Sequence, residues 1–433
     1  MRYDFEHYLL AGHGRAYMIA KTDPERYRCR INSACRKDYS FDMQTEGSRA
    51  FLTYDLVSLF ADPSPFIETV KDSYCDHDVD ADWREICYLT DLLDLFDQRK
   101  VIIGKYKKLE EQLYGDLPEE ELNLLCQSFE YLAIKLIEGQ DIKVVWNVVN
   151  DIGKWFLSRN EDPHELASHF LWFKGDAEEA LGEDGLLKYD GSSEGIKEYI
   201  RIMSQPFEYE RKDKVSNATA EMVLSWLREE PEITRLEMMY RGLMTMSGAE
   251  ALKLAEQFSV ETDPGIKAAI ASVFTSGKYL WPLDISILTD CSSSEDKRLV
   301  REVNEALSLL TDERLHDHAM DILKTGFDPG ALKLLINNIK KSDESFILGF
   351  LEELPIDEDD ECEWHGIVSA VNGKGDDPEM PDSLLLWAYE ASLCSWCREG
   401  IVEKLISRGL MTDDMKEEIR YDADLDIRDL ADK

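Results

Sequence analysis

Two short cysteine motifs are the best candidates for chemistry. The first is Cys362-Glu363-Trp364-His365 and the second is Cys394-Ser395-Trp396-Cys397. Residues three apart share one face of a helical turn, so each pair can chelate. Together Cys362, His365, Cys394 and Cys397 would supply three thiolates and one imidazole, the donor set of a structural zinc site. Against this, 28 residues separate His365 from Cys394, more than in common zinc motifs. The apolar periodicity around Cys394 and Cys397 is equally what two buried core thiols require. A redox role would call for a βαβ context, and none surrounds the pair.

Other constellations are weaker. Asp76, Asp78, Asp80 and Asp82 are spaced as in the opening of a calcium loop, but Ala81 and Cys87 stand where such a loop needs Gly and Glu. A capped turn before Trp83 is the alternative. His316 and His318 point to opposite sides of a helix, and His164 and His169 are five apart, so neither pair can hold one ion. Gly12-His13-Gly14-Arg15 has no strand before it and reads as a turn. Neither a nucleophile elbow nor a phosphate-binding Gly-x-x-x-x-Gly-Lys loop is present. With 89 acidic residues, two carboxylates close in sequence mean little, so no general acid or base is assigned. The aromatics are the remaining functional candidates. Trp146, Trp155, Trp172, Trp364 and Trp387 are either anchors lining a binding groove or packing between helices.

The elements that must position these residues read as helices. Leu122, Leu125, Phe129, Leu132 and Leu136 make one apolar stripe, and Leu299, Val303, Leu307 and Leu310 another. Val144–Val149 is the best strand candidate, but Trp146, Val149, Ile152 and Phe156 continue it at helical steps. Short punctuation separates the stripes: Asp62-Pro63, Asp162-Pro163, Asp263-Pro264 and Asp328-Pro329 each place a capping Asp before a Pro suited to the first helical turn. The prediction is an all-α fold of similar helices joined by short turns.

Internal similarity points to a repeat. Asp263-Pro264-Gly265-Ile266-Lys267-Ala268-Ala269-Ile270, Asp296-Lys297-Arg298-Leu299-Val300-Arg301 and Asp424-Leu425-Asp426-Ile427-Arg428 share one order: Asp, an apolar residue, then a basic one. Asp23-Pro24-Glu25-Arg26 is a weaker fourth. This pattern resembles the HEAT and armadillo superfamily, most clearly over residues 230–433. The resemblance implies an α-solenoid of antiparallel helix pairs, with the turn Asp meeting a basic residue of the adjacent repeat. The Gly-, Asp- and Ser-rich stretch 182–195 then reads as a hinge between an N-terminal helical half, 1–181, and C-terminal repeats, 196–433.

Lys plus Arg is 49 and Asp plus Glu is 89, a formal charge of 49 − 89 = −40. Between Glu352 and Asp382 twelve carboxylates face one Lys. Such a surface repels phosphate backbones and anionic membranes. No segment approaches the ~20 apolar residues of a membrane span. Nine scattered cysteines, an odd number, fit reduced thiols and a cytoplasmic protein. The expectation is a non-catalytic scaffold whose acidic groove takes a basic protein or peptide. The HEAT-like DNA glycosylases and bilin lyases are the enzyme alternative, for which the basic segment Arg26–Lys37 is the only local support. A structural subunit of a bacterial defence or regulatory assembly is the third reading. No cofactor other than zinc is implied.

Overall fold

The computed structural model describes residues 3–40, 49–77, 83–159, 161–182, 185–205, 218–229, 246–275, 278–353 and 361–433, with the side chains of 352–353 and 361–363 excepted. The described residues are helical, with no strand among them. The expected all-α class is therefore found. The chain divides into two units.

The first unit comprises Met1–Phe207, Leu393–Glu399 and Met411–Lys433. Its helices are α1 Phe5–Leu10, α2 Arg15–Thr22, α3 Pro24–Ala34, α4 Ala50–Val57, α5 Ser64–Asp76, α6 Trp83–Leu95, α7 Arg99–Leu113, α8 Glu119–Ile137, α9 Ile142–Ser158, α10 Pro163–Ser168, α11 Leu171–Leu181 and α12 Glu194–Met203. The stripe read from Leu122 to Leu136 is the buried face of α8. The Val144–Val149 stretch lies inside α9, so helical spacing overrides β-branching there. Helices α9 and α12 pack tightly because both are glycine at the crossing. A Cβ on Gly153 would stand 1.8 Å from the Gly195 carbonyl oxygen.

Residues 182–195, the expected hinge, lie within this unit. They carry a 3-10 turn at Leu186–Lys188, the ring of Tyr189 against Trp146, and Ser193, whose hydroxyl caps α12 at the Ile196 amide.

The second unit comprises Glu208–Ser392 and Gly400–Leu410. Its helices are α13 Ala220–Glu229, α14 Gly248–Val260, α15 Pro264–Val273, α16 Ser286–Thr289, α17 Lys297–Ser308, α18 Glu313–Leu323, α19 Pro329–Asn337, α20 Glu344–Glu353, α21 Glu361–Lys374 and α22 Asp382–Ala391. The helix α23, Ser395–Ser407, belongs in part to each unit, and α24 Asp413–Ile419 and α25 Leu425–Asp429 belong to the first. In the second unit α15 packs on α17, α17 on α19 and α19 on α21, with α18 beside α19 and α22 beside α21.

The expected caps form except at Asp62-Pro63, where the helix starts at Ser64 with Pro63 ahead of it and no capping side chain. Asp263 accepts from the Gly265 and Ile266 amides, Asp296 from Leu299, Asp328 from Ala331 and Asp424 from Asp426 and Ile427. Each satisfies amide groups that a helix start otherwise leaves open, worth about 1 kcal/mol. The weaker match differs: Asp23 precedes α3 but its side chain makes no cap bond. Among the described residues, none of these four capping Asp residues pairs with a basic residue of an adjacent repeat, although Asp284, in the turn before α16, meets Arg314 of α18 at 3.1 Å. The Asp oxygens are taken up by their own helices, Lys267 lies over the Phe258 ring, and Arg428 pairs with Asp55 at 2.8 Å.

Candidate binding surface and buried polar groups

The five tryptophan candidates part into two classes. Trp155, Trp364 and Trp387 are core residues and present nothing to a partner. Trp155 is 1% exposed and its indole N–H donates to the Leu113 carbonyl at 2.9 Å. Trp364 donates to the Ala391 carbonyl at 3.1 Å and its ring meets Trp387 edge-on at 5.3 Å. Indoles are large apolar groups with one donor, so burial beside a free carbonyl satisfies both parts. Trp146 is half-buried against Tyr189. Trp172 alone of the five stands out, at 64% exposure.

Trp172 sits in the first turn of α11, and the start of that helix is held from beneath. The Glu130 carboxylate, on α8, accepts from the Trp172 and Phe173 amides at 2.9 Å each. It replaces a local N-cap, since Phe170 at that position has no capping side chain. Burial pushes the Glu130 carboxyl up to about 7, against the pull of the two amides. Helical spacing places Asp176 and Glu179 four and seven residues after Trp172, on its face, and both are exposed. Burial first, then the Glu179 charge, holds the Asp176 carboxyl above its ordinary range. The result is an exposed indole beside carboxylates on a helix whose first turn is fixed. This is a surface matched to Lys or Arg side chains, through cation–π contact and charge.

The metal motif meets a different fate. Cys394 is buried and Cys397 half-buried in the first unit, where their sulfurs lie within 4.8 Å of each other. That pair is half of a tetrahedral donor set. His365 lies on α21 of the second unit. The side chain of Cys362 lies outside the described residues, and so do Asp78–Asp82 of the calcium-like run. Asp76 ends α5. As expected, the two histidines of α18 diverge: His316 Nε2 meets Asp343 at 2.9 Å, while His318 Nε2 meets the Ser292 hydroxyl at 3.2 Å.

The Gly12–Arg15 turn has a structural reason that no motif would reveal. Gly12 has φ +66°, and a Cβ on Gly14 would stand 1.8 Å from the Glu418 carbonyl oxygen. The Gly12 carbonyl accepts from the Ala423 amide at 2.8 Å and from Arg398 at 3.3 Å. Arg398 is fully buried and forks onto Asp422, itself fully buried, with both bonds at 2.9 Å. Nearby, Arg15 forks onto Glu418 at 2.9 and 3.0 Å. Sequence reasoning passed over Arg398 and Asp422 because neither carries a local signal. Their pairing spans 24 residues and their burial depends on Gly12, far away in the chain.

Compared with known protein families and with curated proteins, the chain matches none. Its function is therefore argued from its own residues. The basic segment that the DNA-binding alternative needs is partly neutralised: Arg28 forks onto Glu25 at 2.7 Å and Arg30 meets Glu6 at 3.0 Å. No helix among the described residues is long and apolar enough to cross a membrane.

Proposed function

We propose that this protein is a non-catalytic interaction scaffold, a stack of HEAT-like helix pairs that binds a basic protein or peptide. The serial packing of α15, α17, α19 and α21 in the second unit is what a stacked repeat requires and supports the repeat reading. The observation that carries the binding reading is the α11 face, where exposed Trp172 stands with Asp176 and Glu179 in a chain of charge −40. A Lys- or Arg-rich segment would be steered by the overall field and held by contact with the indole and the two carboxylates.

The test is a titration of the full chain with a fluorescein-labelled Lys/Arg-rich peptide, followed by anisotropy. Binding is expected at low ionic strength, to weaken with added salt and to fall about tenfold in Trp172→Ala, the equivalent of ~1.4 kcal/mol. Asp176→Asn with Glu179→Gln should reduce the salt dependence. No binding at low salt, or binding indifferent to Trp172, would reject the reading.

A further inference from the structure

The second unit contains a cavity of about 790 Å³ whose electrostatics oppose those of the chain. It lies among the start of α17, the start of α19 and Gly366 of α21. In a protein of charge −40, its wall carries four basic side chains, Lys297, Arg298, Arg301 and Lys333, against two carboxylates, Glu305 and Asp328. Asp328 is already engaged as the cap of α19, accepting the Ala331 amide at 2.6 Å. Glu305 holds Lys333 at 2.5 Å, and Arg301 reaches Glu302 at 2.8 Å. Both pairs have a partly exposed member, and such pairs are worth only ~0–1 kcal/mol, so a multiply charged ligand can displace them.

The uncharged lining also suits an anion. Ser292, Ser293 and Ser294 bring three hydroxyls, of which that of Ser292 donates to the side-chain oxygen of buried Asn304 at 3.3 Å. Two helices of full length, α17 and α19, begin here. Their dipoles present the positive end, while Asp296 and Asp328 take up the Leu299 and Ala331 amides. Gly366 lies beside the Lys333 stem on the far wall. The volume falls within the ~300–1,000 Å³ range of small-molecule sites.

We propose that this cavity binds a phosphate-bearing small molecule. Two guanidiniums, two ammoniums and three hydroxyls, set around two helix starts, match a group with several charged oxygens better than they match a single carboxylate. The site is separate from the acidic α11 face and stands whether or not that face binds a peptide.

The experiment is isothermal titration of the full chain with pyrophosphate, with ATP and with inorganic phosphate, using citrate as the carboxylate probe. Saturable binding of pyrophosphate or ATP at one site is expected, weakening as salt rises. Lys297→Glu and Arg301→Gln each change an exposed side chain and should leave the melting temperature in place. Each should lower phosphate affinity about tenfold or more. The proposal fails if no phosphate probe binds at low salt. It also fails if binding survives both substitutions unchanged, or if citrate binds as tightly as pyrophosphate.

Discussion

The two units build their interiors from different proportions of rings and aliphatic side chains. In the first, the largest fully buried side chains are Trp155, Phe129, Phe156, Phe170, Phe173, Tyr8, Tyr88, Tyr199 and others like them, joined by the buried Arg398. Among its described residues the second unit buries fewer rings, chiefly Phe258, Phe274, Trp364, Trp387 and Tyr389. There the core is mostly Ala, Leu, Ile and Val, as in Ala268, Ile270, Val303, Leu307, Leu335 and Ile336. The difference goes with how each unit is put together. Thin aliphatic faces let helices such as α15, α17 and α19 follow one another with an Asp cap at each start. The first unit gathers segments from distant parts of the chain. It relies on large rings and on charge pairs that join those segments: Arg398–Asp422, Arg15–Glu418 and Arg428–Asp55.

This contrast is open to direct attack. Removing one partner of the buried pair is the largest blow. Arg398→Met leaves Asp422 buried without its partner and should cost roughly 3–5 kcal/mol in urea unfolding. Adding Asp422→Leu should recover most of that loss, since an apolar pair of similar volume is often neutral. Trp155→Ala should cost ~3–5 kcal/mol through the cavity it leaves, whereas Trp172→Ala, on the surface, should stay within about 0.5 kcal/mol. Equal effects at the two tryptophans would undo the assignment of one to the core and the other to a binding face.

Next comes pH. With Glu130 pushed up to about 7, the folded state holds that proton more tightly than the unfolded chain does. Its contribution is therefore present at low pH and is lost as pH rises from the ordinary carboxylate range to about 7. Comparing unfolding at pH 5 and pH 7.5, Glu130→Gln should remove roughly 2 kcal/mol of this decline. An unchanged slope would show that the carboxyl titrates normally.

The smallest effect separates two matching dipeptides. Asp263→Ala should cost about 1 kcal/mol by loss of a cap. Asp23→Ala, in the same Asp-Pro context, should cost less than about 0.5 kcal/mol because Asp23 caps nothing. Thermal unfolding of both variants reads the difference.

Legibility followed range. Helical stripes, caps and the helical assignment of Val144–Val149 depend on neighbours within a turn or two, so they were readable. Which tryptophans are buried was not, because indoles serve equally in cores and on surfaces. The helix start that carries exposed Trp172 is held by Glu130, forty-two residues earlier. The cationic cavity was equally hidden. Lys297, Arg298 and Arg301 follow a run of serines in the sequence, yet their significance comes from Lys333 and the start of α19, brought beside them by packing.

The amino-acid sequence alone determined an all-helical protein of charge −40, with Asp caps ahead of its short helices, because period and capping are local properties of the backbone. The tertiary structure decided which charges are buried in pairs, which indoles face solvent and where basic groups converge, because burial and electrostatic environment are set by residues distant in the chain.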